Sequence, residues 1–189
     1  MTKKERDGKD PVTSMRIGHG KRDGEFQYSG IDELLKVERN LIFYNKSLMN
    51  KVLNFSKKNY SVLDFGAGIG TFSNLFYKTT GNKPDCLEID HELSEHIRSR
   101  GFECFNNLAD INKKYDMIFC IEPNSLVALK KIKFNFRNVI YISLESTHYF
   151  HKEEKLLQYK NLLEECRFCI IQSKERAADF QKELKIKVK

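Results

Sequence analysis

The sequence predicts an α/β fold: a doubly wound, mostly parallel sheet with an antiparallel edge strand, preceded by an N-terminal helical cap. Three observations predict it. From residue 60 onward, short apolar runs alternate with amphipathic stretches, the order that builds parallel sheets through right-handed crossovers. Directly behind the first apolar run stands "SVLDFGAGIGTF", with Gly66, Gly68 and Gly70 inside five positions. The final stretch, "ELKIKVK", alternates with a period of two, and lysine on its open face suits an edge strand.

The elements follow in order. Residues 1–24 are rich in charge, glycine and small polar residues and lack apolar periodicity, which predicts a flexible charged arm. Residues 25–59 predict the helical cap. Ile31, Leu34, Leu35, Leu41, Ile42, Leu48, Met49, Val52 and Leu53 recur at helical spacing, as one long helix or two shorter ones, with Ser29 and Asp32 as an N-terminal cap. Residues 60–189 form the third unit. Strands are expected at 61–65, 85–89, 103–106, 115–121, 138–144 and 167–172, and helices at 71–80, 91–100, 125–131 and 152–165. Gly81 and Gly101 sit where helices end, and Asp90 is placed to cap the helix that begins at His91.

Composition narrows the function classes. The 189 residues suit one domain with a small appendage, and no apolar run approaches the roughly 20 residues of a membrane span. The N-terminal stretch has charges but no apolar core, unlike a secretory signal. Cys86, Cys104, Cys120, Cys166 and Cys169 are odd in number, and all but Cys166 fall in strand-like runs, which suits reduced thiols and a cytoplasmic protein. Cys166 and Cys169 alone, without a second ligand pair, do not predict a metal site. The net charge of +7 is spread: residues 1–24 hold seven Lys/Arg against four Asp/Glu, residues 174–189 six against three, and Lys130, Lys131, Lys133 and Arg137 form a third group. Spread of this kind reads first as solvated charge and second as an anionic partner such as nucleic acid.

The glycine spacing discriminates between ligands. A dinucleotide fingerprint counted from Gly66 needs its third glycine at position 71, which is Thr71, and a P-loop needs Lys-Ser/Thr after its last glycine, where Thr71 and Phe72 stand. The pattern is instead D-x-G-x-G-x-G from Asp64 to Gly70. "VLDFGAGIGTF" resembles the nucleotide-loop motif of the class I S-adenosylmethionine-dependent methyltransferases, whose domain is Rossmann-like. "CLEIDHEL" resembles their second-strand motif, and "YDMIFCIEPNSL", "NVIYISLES" and "EEKLLQYKNLLEECRFCII" occupy the places of their later elements.

The resemblance implies S-adenosylmethionine as cofactor and methyl transfer as activity. Asp64 would lie under the methionyl ammonium. Gly66, Ala67, Gly68 and Gly70 would pass close to the methionine and ribose. Glu88, twenty-two residues beyond Gly66, would take the ribose hydroxyls, with Ile89 beside it and Asp90 as a helix cap. Asn107, Leu108 and Ala109 occupy the adenine position. The stretch Glu122-Pro123-Asn124-Ser125 should face the methyl group. It lacks both the Asn/Asp-Pro-Pro-aromatic signature of amino-methylating relatives and the Glu-His pair of many small-molecule ones. Glu122 and His148 are the expected catalytic residues, Glu122 also touching cofactor. Tyr28 (with Phe26 near it), Asn124 and His151 are the expected substrate contacts. His91 and His96 are expected to be exposed helix residues. A small-molecule acceptor is the first expectation. A nucleic-acid methyltransferase and a weakly active partner subunit are the alternatives.

Overall fold

The computed structural model describes residues 19–22, 25–28, 30–121, 123–130, 138–143, 153–171 and 173–184. Six parallel strands form one sheet: β3 (Val62–Phe65), β4 (Asp85–Leu87), β5 (Cys104–Phe105), β6 (Met117–Cys120), β7 (Val139–Ser143) and β8 (Phe168–Ile171). Their spatial order is β5-β4-β3-β6-β7-β8, and every neighbouring pair is parallel. Counted within the sheet this is 3-2-1-4-5-6, the doubly wound order, with its topological switch between β3 and β6.

Side-chain alternation divides the core. Val62, Met117, Phe119, Ile140, Ile142 and Ile170 face α2 (Ile42–Leu53) and α3 (Thr71–Thr80). Leu63, Phe65, Leu87, Ile118, Cys120, Val139 and Tyr141 face α5 (Pro123–Lys130), α6 (Glu153–Glu165) and α7 (Lys174–Leu184). Helix α4 (His91–Ser99) closes the β4–β5 edge through Ile97, packed with Cys86, Phe102 and Cys104. Two-residue periodicity in the strands is therefore converted into two apolar layers, each covered by helices.

The cap is two helices. Helix α1 (Ile31–Asn40) stops and α2 restarts after Leu41, whose φ of −107° and ψ of 28° leave the helical region. The Ser29–Asp32 cap is not what opens α1: Gly30 is the N-cap, without a side-chain cap bond, and Ser29 lies outside the described residues. Before α1, β1 (His19–Arg22) and β2 (Glu25–Tyr28) pair antiparallel, so a hairpin straddles the expected boundary at residue 24. The edge strand expected over 183–189 begins inside a helix instead. Glu183 and Leu184 end α7, with Leu184 buried, and 185–189 lie outside the described residues. The helix wins because Phe180 and Leu184, four apart, both reach the core.

Candidate functional site

The glycine loop connects β3 to α3 beside the switch point, where ligands of open α/β sheets collect. Gly66, Gly68 and Gly70 have φ of 75°, 58° and 74°, a left-handed conformation that L side chains rarely adopt. Their surroundings differ. A Cβ at Gly66 would come within 2.5 Å of Ser125 Oγ, and one at Gly70 within 3.3 Å of Ile97 Cγ1. A Cβ at Gly68 would meet nothing within 4 Å. Two of the glycines are thus also set by packing, and Gly68 alone faces open space.

Most of the loop's amides are spent within the protein. Gly66 and Ala67 N–H both donate to Leu87 O, at 2.9 and 3.0 Å, and Gly70 N–H donates to Ala67 O. Gly68 N–H donates to Glu88 Oε2 at 2.8 Å, and Asp90 N–H donates to Glu88 Oε1 at 3.0 Å. Glu88 is 8% exposed, and burial pushes its carboxyl above the usual range against the opposing pull of these amides. The Ile89 N–H also draws on this carboxylate, so of its roughly four acceptor positions about one remains for a ligand donor. Ile89, next in sequence, is 61% exposed, an apolar surface beside that carboxylate.

Asp64 is the second buried acid of the site, 1% exposed. Ser73 Oγ donates to Asp64 Oδ2 at 2.6 Å and lies 3.1 Å from Cys86 Sγ. Burial, with a smaller contribution from the Glu88 charge, lifts the Asp64 carboxyl to about 7, and the Ser73 hydrogen bond only partly offsets this. No basic side chain contributes to that balance. An ammonium arriving nearby would restore the ionised form.

A polar network holds the ends of β4 and β5 together beyond their two-pair ladder. Asn106 Nδ2 donates to Glu88 O at 3.0 Å and to Ser94 Oγ at 2.7 Å, while Asn106 Oδ1 accepts from Arg98 Nη2. Arg98 Nη2 also donates to Cys104 O. Asp90 caps α4 by accepting Leu93 N–H at 3.0 Å. Asn107 accepts from Ala109 N–H, starting a 3₁₀ turn at Leu108–Asp110; Asn107 is exposed, and Leu108 is half-buried against the core.

Asp64, Gly66, Ala67, Gly68, Gly70, Glu88, Ile89, Asn107 and Leu108 therefore gather at one end of the sheet. The acceptor-side expectations fall on residues the structure does not describe or describes only in part. Glu122, His148 and His151 lie outside the described residues, and Tyr28 and Asn124 are described only through their backbone, in β2 and α5. Ser73 and Asn106 complete the site without having been singled out, and Ser125, expected only as part of the stretch facing the methyl group, packs against Gly66. A serine nine residues beyond Asp64 carries no local signal, whereas Asn106 stood one place before the expected adenine contacts. His91 is exposed, as expected, but His96 is half-buried, its ring nitrogen Nε2 enclosed, and burial lowers its pKa. Among the described residues no group of three His, Cys, Asp or Glu is arranged to hold a metal.

No protein-family model matches the sequence, and no curated protein matches it. Solved structures do align. Coclaurine N-methyltransferase, bound to N-methylheliamine and S-adenosylhomocysteine, is 19% identical over 50% of this chain and 33% of its own, with a TM-score of 0.41. The ribosomal protein L11 methylase from Lactobacillus delbrueckii subsp. bulgaricus is 16% identical over 61% of this chain and 67% of its own, with a TM-score of 0.45. Magnesium protoporphyrin IX methyltransferase from Synechocystis PCC 6803, with bound S-adenosylmethionine, is 13% identical over 74% of each chain, at the same TM-score of 0.45. The chain thus spans about a third of the first protein's length. No helix among the described residues is long and apolar enough to cross a membrane. The order and parallel sense of its own six strands give this chain the doubly wound, Rossmann-like α/β fold.

Proposed function

We propose that the chain binds S-adenosylmethionine at the β3–α3 loop and transfers its methyl group to an acceptor. The observation that carries this reading is Glu88, a buried carboxylate closing the second sheet strand, held in place by Gly68 N–H on one oxygen and Asp90 N–H on the other. That arrangement suits a ribose diol. The open space at Gly68 leaves room for the ligand's sugar and methionine portions. Exposed Ile89 offers an apolar surface for adenine, with Asn107 and Leu108 at its edge. Asp64 acts from beneath the loop, as a buried negative field toward the methionyl ammonium, because its carboxylate has no open face of its own.

Bound there, the cofactor supplies an activated methyl carbon. The acceptor's lone pair forms the new bond to carbon while the carbon–sulfur pair returns to sulfur. The protein's share is alignment, with a base needed only for a protonated acceptor. Glu122 and His148 remain our candidates for that base, with Tyr28, Asn124 and His151 as acceptor contacts. The acceptor group we expect is compact, on oxygen, nitrogen or carbon, since no more than 24 residues separate successive sheet strands, too few for an inserted substrate domain. The work would be done in the cytoplasm, where five free thiols are at home.

Incubation with methyl-labelled S-adenosylmethionine and separated metabolite and nucleic-acid pools tests this. Label should enter one pool and be absent with Glu88→Ala. Binding of S-adenosylhomocysteine with no label in any pool would instead favour a partner subunit that keeps the cofactor site without turnover.

A further inference from the structure

The outer face of α2 carries positive charge without any negative. Between residues 39 and 63 stand Arg39, Lys46, Lys51, Lys57 and Lys58, and no Asp or Glu. Helix α2 commits Leu48, Met49 and Val52 to the core and leaves Phe43, Lys46, Ser47, Asn50, Lys51 and Asn54 exposed. Phe43, Lys46, Asn50 and Asn54 follow one another at helical spacing, so they form one stripe, continued past the helix by exposed Lys57 and Lys58. Phe43 is 88% exposed, more than any other large apolar side chain described. The four ion pairs among the described residues involve none of these cations.

We infer that this face docks single-stranded nucleic acid. A helix of this length spans about 18 Å, and cations interleaved with amides along its axis match a flexible phosphate backbone, while an exposed ring offers a base a stacking surface. An anionic membrane fits less well. The apolar side of α2 is already spent on the core, and the exposed apolar residues Leu41, Ile42 and Phe43 are confined to the α1–α2 corner instead of running along the helix. This face adds a folded element to the basic termini and the Lys130–Arg137 cluster as candidate anionic contacts.

The face also leads to the site. Glu38, three residues before the corner, binds Arg100 with both oxygens, at 2.8 and 2.6 Å, and takes a hydrogen bond from Thr71, the first residue of α3. A strand lying along α2 therefore ends beside the glycine loop, and the compact acceptor would be a base or ribose of that strand. This last step rests on the cofactor reading; the docking does not.

The test is fluorescence anisotropy of the full chain with a labelled single-stranded RNA of about 20 nucleotides, titrated at several salt concentrations. We expect log affinity to fall against log salt with a slope of about −2 to −3, the release expected for three or four phosphates. The double variant Lys46→Glu/Lys51→Glu should weaken binding at least about tenfold and flatten the slope by about 1.4. Phe43→Ala should weaken binding about fivefold or more and leave the slope unchanged. Thermal melts of both variants, and their titration with S-adenosylhomocysteine, report whether the fold and cofactor site survive. No RNA binding at low salt, or undiminished binding by the charge-reversed variant, overturns the inference. So does binding to vesicles of three parts phosphatidylcholine to one part phosphatidylglycerol that this variant loses, with no RNA bound. RNA binding without S-adenosylhomocysteine binding would sink the cofactor reading alone, and the converse this inference alone.

Discussion

The two halves of the sheet bury different chemistry. Around β3, β4 and β5 the interior holds Asp64, Glu88 and Asp90, with Ser73 and Ser94 beside them. Around β6, β7 and β8 it holds Tyr141, Tyr159, Phe180, Leu162 and Cys120, and no buried acid among the described residues. Three buried carboxylates within one β–α–β unit are expensive unless something offsets them. Backbone amides do so for Glu88 and Asp90, but Asp64 has a single serine and a carboxyl lifted to about 7. Among the described residues, one half buries only uncharged side chains, and the other buries the charge that the proposed cofactor would meet.

Substitutions on each side should separate these roles. Phe180→Ala removes a fully buried ring from the apolar half. It should cost about 3–5 kcal/mol in urea denaturation and leave the affinity of the remaining folded protein for S-adenosylhomocysteine unchanged. Asp64→Asn should do the reverse. The folded pKa lies above the unfolded value of 3.8, so the folded state holds a proton that the unfolded chain has released, and wild-type stability falls as pH rises from about 4 to about 7. The asparagine variant should therefore be more stable than wild type by about 4 kcal/mol at pH 8, with the gain gone below pH 4. It should also bind an ammonium-bearing ligand more weakly.

Smaller effects sharpen the contrast. Asn106→Ala frees Glu88 O and Ser94 from their shared donor and should cost about 1–2 kcal/mol. Because the lost bond fixes Glu88, affinity for S-adenosylhomocysteine should drop as well, more than for its analogue lacking the ribose 2′-hydroxyl. Glu38→Gln breaks the bidentate pair with Arg100, whose hydrogen bonds and charge hold the Glu38 carboxyl below its ordinary range. It should cost about 1 kcal/mol at neutral pH, and the difference should shrink as pH falls through the lowered pKa, where wild type protonates too.

Legibility in the sequence followed the same division. The strands, the glycine loop and Glu88 could be read because each depends on local pattern: alternation, φ-permissive residues, and an acid closing the second strand. What could not be read depends on contacts between distant residues. Ser73 under Asp64, Ser125 against Gly66, and Arg100 reaching Glu38 sixty-two residues away leave no periodic trace. At the C-terminus two patterns overlapped. The two-residue alternation of "ELKIKVK" pointed to a strand, while Phe180 and Leu184 at helical spacing decided where Glu183 and Leu184 went.

The most direct measurement is calorimetric titration of wild type, Glu88→Ala and Gly68→Val with S-adenosylhomocysteine. Wild type should bind with micromolar affinity and neither variant should bind, with all three folded. Glu88 would then be the ribose partner and the space at Gly68 the ligand's own. Wild-type binding that both substitutions leave intact, or no binding by folded wild type, would contradict it.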